Sequence, residues 1–430
     1  MADEWNKLRI GQLGRVVTGK TPSSAVSGNF NGEHPFITIP DLDGRREITT
    51  SARTLSEAGA QTIRTCRLPA GAVMMSCIAT IGRCGITTRP SFTNQQINSL
   101  ICNDLVDPRF VYYGFSQLGG QLEAVGSGGS VYTNVSKTRF ENIELTIPPL
   151  REQQAIACIL GALDDKIELN RRRNRTLEAM ARAIFQSWFV DFDPVKAKAA
   201  GRTPPGLSPA LAALFPDSFT DSPLGPIPKG WRVAKLNEIC RIGRGSSPRP
   251  IHNFMGGTVP WIKIADATSA GGPFIYETKE FVTEAGADKS VWVKPGDLIL
   301  SNSATCGVPI YVGLHGCIHD GWLHFSDLRE ISRGFMYHWL TTISEHLIHI
   351  ADGSVQKNLN TALVGGQNLA ISPPRLIRAF DSLNEPVYQS IDKSIQESRT
   401  LAAFRDALLP KLISGELRVP DADRIVGRIT

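Results

Sequence analysis

The 430-residue sequence predicts an α+β protein in which two tandem mixed α/β domains are separated by two long antiparallel coiled-coil helices. Three observations support this fold class. The second half of the chain repeats the first, each copy ends at a pair of prolines, and a heptad pattern of apolar residues follows each pair. The repeat is far longer than any solenoid period, so it indicates a tandem of domains.

The repeat consists of matched strings that lie about 225 residues apart. Trp5 to Pro22 matches Trp231 to Pro248, and Gly71 to Gly82 (GAVMMSCIATIG) parallels Gly296 to Gly307 (GDLILSNSATCG). The second pair is a short apolar run that enters a Ser/Thr/Gly turn, which is typical of a strand followed by a loop. We therefore expect two equivalent modules.

Prolines mark the ends of the modules and the segment between them. Pro148-Pro149 and Pro373-Pro374 can neither continue a strand nor enter a helix interior. The segment 194–228 holds eight of the 27 prolines, which indicates an extended or loosely ordered connector. The predicted segments are 1–150 for the first domain, 151–192 for the first spacer helix, 193–229 for the connector, 230–374 for the second domain, 375–418 for the second spacer helix and 419–430 for the tail.

Both spacer helices carry apolar residues at alternating spacings of four and three, which is the a/d seam of a coiled coil. Asn170 and Asn174 face Ser394 and Ser398 at equivalent seam positions, and this favours one antiparallel register. Pro386 is expected to start a new helix, so the second spacer helix is predicted to be shorter. The apolar residues predicted to form the subunit interface are Ile156, Leu160, Leu163, Ile167, Leu177, Ile184, Trp188, Ile391, Leu401, Leu408 and Leu412.

The amino-acid composition bears on the kind of partner and on the cellular compartment that we expect for this protein. Lys and Arg total 46 against 41 for Asp and Glu, and the net charge of +5 permits an anionic partner without requiring one. No run approaches the roughly 20 apolar residues of a membrane span, and the polar start is unlike a secretory signal. We therefore expect a cytoplasmic protein with no membrane partner. The eight cysteines form no CxxC pair and are predicted to be buried reduced thiols.

Three strings are specific to one known family. They run from Ile147 to Val195 (IPPLREQQAIACILGALDDKIELNRRRNRTLEAMARAIFQSWFVDFDPV), from Pro204 to Trp231 (PPGLSPALAALFPDSFTDSPLGPIPKGW) and from Arg399 to Leu417 (RTLAAFRDALLPKLISGEL). With the two domains and two long helices, they resemble the specificity subunits of type I restriction-modification systems. The resemblance covers essentially the whole chain.

This resemblance implies a non-catalytic DNA-recognition subunit with two target recognition domains, each reading one half of a bipartite site on double-stranded DNA. It also implies two modification subunits that bind S-adenosylmethionine and methylate adenine, together with motor-nuclease restriction subunits that use ATP. No cofactor is expected on this chain itself, because S-adenosylmethionine, ATP and Mg would be held by the partner subunits.

Polar and basic loop residues are the candidates for DNA contact. The amides of Asn94, Gln95 and Gln96 can pair with adenine edges, while Arg83 or Arg89 can meet guanine or phosphate. The predicted DNA-binding residues are Lys20, Thr21, Ser76, Thr80, Arg83, Arg89, Asn94, Gln95, Gln96, Lys137, Ser247, Arg249, Lys263, Ser301, Thr305 and Lys357. No catalytic or metal-binding residue is predicted.

Two other classes of protein stay open, a nucleotide-dependent enzyme and a scaffold that binds only proteins. Gly14 to Thr21 satisfies the phosphate-loop pattern Gly-x4-Gly-Lys-Thr. Pro22 disfavours the helix that such a loop must open, and the second copy has Ser246 and Ser247 in place of the Lys-Thr pair. The accidental match is therefore the favoured interpretation.

A zinc site is a further alternative, since His and Cys recur between His315 and His324, with Cys306 upstream. The matching stretch of the first domain, 90–98, has neither residue type. Core or DNA-facing histidines are therefore favoured over a metal site.

Overall fold

The computed structural model describes residues 5–126, 134–303, 305–351 and 358–419. The chain forms two compact units. The first comprises Met1–Arg172 and Ile395–Thr430, and the second comprises Arg173–Ser394. Each unit therefore contains one of the repeated domains together with a part of each spacer helix.

In the first domain, the strands are β1 Asn6–Arg9, β2 Gly14–Thr18, β3 Phe30–Ile37, β4 Glu47–Ile48, β5 Arg53–Leu55, β6 Val73–Ser76, β7 Cys84–Thr87, β8 Phe92–Thr93, β9 Ile97–Cys102 and β10 Glu144–Ile147. The helices are α1 Glu57–Thr62, α2 Pro108–Gly126 and α3 Lys137–Glu141, followed by the first spacer helix α4 Leu150–Phe185.

The segment after the first spacer helix contains α5 Asp193–Ala199, α6 Pro209–Ala212 and the paired strands β11 Phe219–Thr220 and β12 Ile227–Pro228. The strands of the second domain are β13 Arg232–Lys235, β14 Arg241–Arg244, β15 Met255–Ile262, β16 Phe274–Ile275, β17 Phe281–Val282, β18 Val291–Val293, β19 Leu298–Ser301, β20 Pro309–Val312, β21 Gly316–Ile318, β22 Trp322–Ser326 and β23 Asn368–Ile371. Its helices are α7 Leu236–Ile239, α8 Ile264–Ala270, α9 Glu284–Ala287, α10 Arg333–Thr342, α11 Ser344–Ala351 and α12 Thr361–Gly365, and α13 Pro374–Ser414 is the second spacer helix.

The two domains share one topology. The first has a five-stranded sheet of order β2-β9-β6-β7-β4 and a smaller sheet of order β5-β3-β8. The second has the corresponding orders β14-β22-β19-β20-β16 and β17-β15-β21-β18, with β18 as an additional strand. In each domain the first and last strands pair antiparallel, β1 with β10 and β13 with β23. The predicted fold class is therefore confirmed.

Both five-stranded sheets are covered on two faces, which explains why their central strands have no polar alternation. On β6, Val73 and Met75 pack in the core that contains α2, while Met74 packs in a separate core on the opposite face. On β19, Leu298 and Leu300 face one core and Ile299 faces another. Successive side chains of a strand point to opposite faces, so an uninterrupted apolar run fills both cores.

The connector differs from the prediction. It is an ordered part of the second unit, in which Val195, Phe215 and Ile227 are buried in the main core of the second domain. Phe215 packs edge-on against Trp188, with ring centroids 5.2 Å apart. The prolines suggested an extended chain, but the apolar residues between them bury enough surface to fix short helices and turns.

The second spacer helix also differs from the prediction. α13 continues through Pro386, where a shorter helix starting at that residue was expected. Pro386 is exposed, so water can solvate the carbonyl that its missing N–H leaves unpaired. On the other side of the helix, Phe380, Tyr388 and Ile391 are buried. Tertiary packing therefore overrides the local preference of proline.

The spacer helices run antiparallel within each unit, as predicted. In the first unit, Asp164 accepts a hydrogen bond from Arg405 at 2.6 Å, and Asn170 donates to Glu397 at 2.8 Å. In the second unit, Arg173 donates to Ser390 at 3.0 Å, and the rings of Phe185 and Phe380 lie with their centroids 5.6 Å apart. Residue numbers rise along α4 as their partners' numbers fall along α13, which defines the antiparallel register.

Two further predictions concern the state of the cysteines and the presence of membrane-spanning helices. The eight cysteines are free thiols, and six of them are buried as predicted, whereas Cys102 is half-buried and Cys158 is exposed. Within the described ranges, no helix is long and apolar enough to cross a membrane.

Candidate DNA interface

One end of the first five-stranded sheet gathers three of the predicted loops. β2 ends there at Thr18, and β9 begins there at Ile97. β6 ends and β7 begins at the same end, because β6 pairs antiparallel with both β9 and β7. Residues 19–21, 77–83 and 94–96 therefore lie together, and we call them the first loop surface.

The second domain builds the same arrangement from its own strands. β14 ends and β22 begins at one end of its sheet, where β19 ends and β20 begins. Residues 245–249, 302–303, 305–308 and 319–321 form this second loop surface. Gly245 donates its N–H to the carbonyl of Trp322 at 2.8 Å, as Gly19 does to Ile97 at 3.1 Å.

A hydroxyl contact recurs on both loop surfaces. Thr21 Oγ1 donates to Gln95 Oε1 at 2.6 Å, and Ser247 Oγ donates to Asp320 Oδ1 at 2.6 Å. The serine and the threonine follow equivalent strands, and Gln95 and Asp320 precede equivalent strands. The two domains thus hold different side chains with the same kind of contact.

Several predicted DNA-binding residues lie on these surfaces. Lys20, Thr21, Thr80, Arg83 and Gln95 are exposed on the first loop surface. Asn94 and Gln96 are half-buried and hydrogen-bonded to each other, with Asn94 Nδ2 donating to Gln96 Oε1 at 2.9 Å. Their amides are therefore partly occupied within the chain.

On the second loop surface, Arg249 and Thr305 are exposed and Ser247 is half-buried. Arg249 Nη2 lies 3.6 Å from Asp320 Oδ2, and the Arg249 side chain is 81% exposed. Lys263 follows β15, next to this surface, because the N–H of Ile264 lies 3.3 Å from His319 Nε2. The Lys263 ammonium lies over the Trp261 ring and pairs with Glu280 at 2.5 Å.

Ser76 and Ser301 are corrections to the predicted set, since both are buried and have no surface to offer DNA. The Ser76 hydroxyl donates to the Thr80 carbonyl and accepts the N–H of Arg83 at 2.9 Å. Ser301 donates to the Thr305 carbonyl at 2.6 Å and accepts the N–H of Val308 at 2.9 Å. These serines fix the loop that follows their strand by satisfying its backbone groups.

Three other predicted residues lie elsewhere. Arg89 follows the far end of β7, at the opposite end of the sheet from the first loop surface, so the structure separates it from that surface. Lys137 begins α3, where it pairs with Glu141 at 3.6 Å. Lys357 lies outside the described residues.

Sequence reasoning missed Asp320 and the groups around it. Arg244 Nε donates to the Asp320 carbonyl at 2.8 Å, and Asn302 Nδ2 donates to it at 3.0 Å. Burial acts to raise the pKa of the Asp320 carboxyl, but the Ser247 hydrogen bond and the charges of His319 and Arg244 outweigh it and lower that pKa. Alignment of the two copies of the repeat could have identified Asp320 as a candidate, because it occupies the position that corresponds to Gln95.

The phosphate-loop alternative lacks its required geometry. Gly14 lies at the start of β2, and an irregular segment with a turn at Ser24 and Ala25, rather than an α-helix, follows Thr21. A phosphate loop must open a helix whose N–H groups face the anion. The structure therefore contradicts the hypothesis that Gly14 to Thr21 form a phosphate-binding loop.

The histidines considered for zinc have other environments. Gly321 donates its N–H to His319 Nδ1 at 2.6 Å, and burial lowers the pKa of His319. Cys317 is buried in the small core of the second domain. Across the part of the chain that the structure describes, no three His, Cys, Asp or Glu side chains group as metal ligands.

The seam residues predicted as a subunit interface are instead used within the chain. Ile156, Leu160, Leu163 and Ile167 are buried in the first unit. Leu408 and Leu412 are buried with the first three of these residues, and Leu401 packs beside them. In the second unit, Trp188 and Ile391 are buried, while Leu177 and Ile184 are half-buried. The buried members of this set therefore have no surface left to offer another subunit.

A duplicated α+β fold with one polar loop surface per domain defines a tandem two-domain protein with two equivalent candidate sites. Comparison with known proteins identifies it further. The type I restriction modification DNA specificity domain model matches residues 2–179 and 228–375, one match for each copy. The chain belongs to this family of specificity subunits.

Specificity subunits of other organisms match between about two thirds and nearly all of this chain. The MjaIX specificity subunit of Methanocaldococcus jannaschii is 27% identical over 97% of this chain and 94% of its own length. The HindI specificity subunit of Haemophilus influenzae is 27% identical over 68% of this chain and 72% of its own. The crystal structure of an S subunit from M. genitalium shares the fold, with a TM-score of 0.55, 18% identity and coverage of 95% and 96% of the two chains.

Proposed function

We propose that this chain reads a bipartite double-stranded DNA target, with one half-site for each loop surface, and gives its sequence specificity to partner subunits. The observation that carries the proposal is the recurrence of the loop surface in both domains, down to the Thr21–Gln95 and Ser247–Asp320 contacts. Equivalent surfaces with different side chains suit two half-sites of different sequence.

The loop surfaces have the chemistry that groove reading requires. Lys20, Arg83 and Arg249 are exposed cations that can contact phosphate, and such contacts set position without carrying sequence information. Amide and carboxylate groups beside them can pair with base edges, which do carry it. Each surface thus combines the two kinds of contact needed for specific binding.

The partners follow from the family rather than from the described contacts. Two modification subunits would supply S-adenosylmethionine and adenine methylation, and restriction subunits would supply the ATP- and Mg-dependent motor and nuclease. This chain would bind neither cofactor. Its outer helix faces are the surfaces left for docking, since the seam is filled from within.

Domain replacement tests this function. The chain is co-expressed with its modification subunit in a host lacking other methylation, and the methylated motif is read by single-molecule sequencing. Replacing residues 1–150 by the corresponding domain of a relative should change one half-site only. Simultaneous change of both half-sites, or no sequence-specific methylation by the native pair, would contradict the proposal. Methyl transfer by the rigorously purified chain alone would contradict its non-catalytic role.

The scaffold alternative makes a different prediction in the same experiment. A protein that binds only other proteins would leave the methylated motif unchanged when either domain is replaced. Binding of a labelled duplex that carries the motif, compared with a scrambled duplex, distinguishes the two functions directly.

A further inference from the structure

Gln95 and Asp320 occupy the same position in the two copies of the fold. Ser76 pairs with Ile97 in the first sheet, and Ser301 pairs with Trp322 in the second. Gln95 lies two residues before Ile97, and Asp320 lies two residues before Trp322. The strand register therefore makes the two side chains structural equivalents.

Each of these side chains is held in place yet accessible. Gln95 is exposed, and the Asp320 side chain is 42% exposed. The hydroxyls of Thr21 and Ser247 each fix one oxygen at 2.6 Å. A side chain that is held on one side and open on the other is oriented in advance for a ligand, which reduces the entropy lost on binding.

The two groups differ in what they can recognise. The amide oxygen of Gln95 accepts from Thr21, so its NH2 group points to the other side, where it can act as a donor. Ionised Asp320 can only accept hydrogen bonds. One oxygen takes the Ser247 hydroxyl, and Arg249 lies 3.6 Å from the other.

A carboxylate repels phosphate, so Asp320 is unsuited to contact the DNA backbone. Its complement in the major groove is an exocyclic amino group, which cytosine presents at N4 and adenine at N6. An amide instead suits adenine, to which it can donate at N7 while accepting from N6. Arg244 and Arg249 beside Asp320 can offset its charge as the DNA approaches.

We propose that Gln95 and Asp320 are equivalent specificity-determining residues, each reading one base pair of its own half-site, with Asp320 accepting from an exocyclic amino group and Gln95 pairing with adenine. This inference rests on the proposed function and adds to it the residues and the chemistry of two base contacts.

Two isosteric exchanges test the inference. Asp320→Asn should reduce discrimination at one base pair of the second half-site by roughly tenfold or more, because an amide both donates and accepts. Gln95→Glu should do the same at one base pair of the first half-site. Each variant is co-expressed with the modification subunit, and methylome sequencing reads both half-sites.

Glu330→Gln is the matched control. It makes the same carboxylate-to-amide change in the second domain, where Glu330 pairs with exposed Arg232 at 2.5 Å beyond the far end of β22. Its motif should equal that of the native chain. Thermal unfolding midpoints of all three variants should match the native midpoint, because a merely structural role would lower the midpoint and leave the motif unchanged.

The outcomes separate this inference from the proposed function. A native chain that directs no bipartite methylation refutes the proposed function. A native chain that does so, with an Asp320→Asn variant of identical motif, refutes only the inference. A base preference altered by Arg249→Ala but not by Asp320→Asn also overturns it, since Asp320 would then only position the arginine.

If a variant methylates no DNA, its base preference is measured by DNA binding instead. The complex of Asp320→Asn with the modification subunit is incubated with duplexes randomised in the second half-site, and the bound fraction is sequenced. A shift confined to one base pair supports the inference, and an unchanged preference at every base pair overturns it.

Discussion

At the scale of single residues, His338 couples the stability of the second unit to pH. It is buried beside Phe185, with ring centroids 5.4 Å apart, and its Nε2 lies 2.8 Å from Asn384 Oδ1. Burial lowers the pKa of His338 to about 4. The unfolded chain therefore takes up a proton near pH 6.5, where the folded chain does not.

Folded stability from this histidine is complete above pH 6.5 and is lost as the pH falls from 6.5 towards 4. His338→Gln can still donate to Asn384 but does not titrate. Between pH 7 and 4.5, its free energy of unfolding should fall by about 2 to 3 kcal/mol less than that of the native chain. Urea titration followed by tryptophan fluorescence measures this, because every tryptophan except Trp5 lies in the second unit.

Exposed His252 provides the control, and His252→Gln should keep the native pH dependence. Equal slopes for His338→Gln and the native chain would show that His338 does not carry the effect.

The same scale shows what sequence can and cannot predict. The hydroxyls of Thr21 and Ser76 look alike in the sequence, since both lie where a strand passes into a loop. The structure exposes one and buries the other, because burial depends on strands that are distant along the chain. The sequence therefore allowed us to predict which segments form the loops. It did not allow us to predict which side chains in those loops are exposed.

At the scale of elements, Pro386 tests how far packing determines α13. Pro386→Ala restores an N–H that can pair with the carbonyl four residues earlier, on an exposed face. We expect the variant to be about 1 to 2 kcal/mol more stable, since part of the helical gain is offset by a freer unfolded chain. Chemical denaturation followed by circular dichroism measures the change.

Pro374→Ala is the matched control, because Pro374 is the first residue of the helix, where its N–H would have no helical partner anyway. No gain is expected there. A Pro386→Ala variant less stable than the native chain would mean that the helix needs a bend at this residue.

The connector shows why element prediction failed at one place. Proline content predicted an extended segment, yet Val195, Phe215 and Ile227 are buried in the core of the second unit. The heptad seams were predictable because their periodicity is a property of the helix itself. The fate of isolated apolar residues between prolines depends on a core that is formed elsewhere in the sequence.

At the scale of the whole molecule, the antiparallel spacer helices are candidates for a ruler that sets the gap between half-sites. Inserting one heptad after Asn170 and a compensating heptad after Ser394 should preserve the seam and lengthen the pair by about 10 Å. At about 3.4 Å per base pair, the preferred gap should grow by up to about three base pairs. Methylome sequencing of the doubly extended variant reads this gap.

The recognised bases should stay the same, because neither domain is altered. A single insertion, after Asn170 alone, shifts one helix against the other and should destabilise the seam, so it serves as the control. An active double variant that keeps the original gap would refute the ruler.

The pairing of β1 with β10, and of β13 with β23, has a consequence for how such genes diversify. Asn6 lies opposite Ile147, and Arg232 lies opposite Ile371, so the chain enters and leaves each domain at neighbouring points. A recombination event with one breakpoint in each of these paired strands would exchange a complete domain. Both junctions with the rest of the chain would then lie in the same strand pair. The incoming domain would need to fit only one strand pair and the helix surface beneath it. On the proposed function, a single genetic step of this kind would give the complex a new half-site.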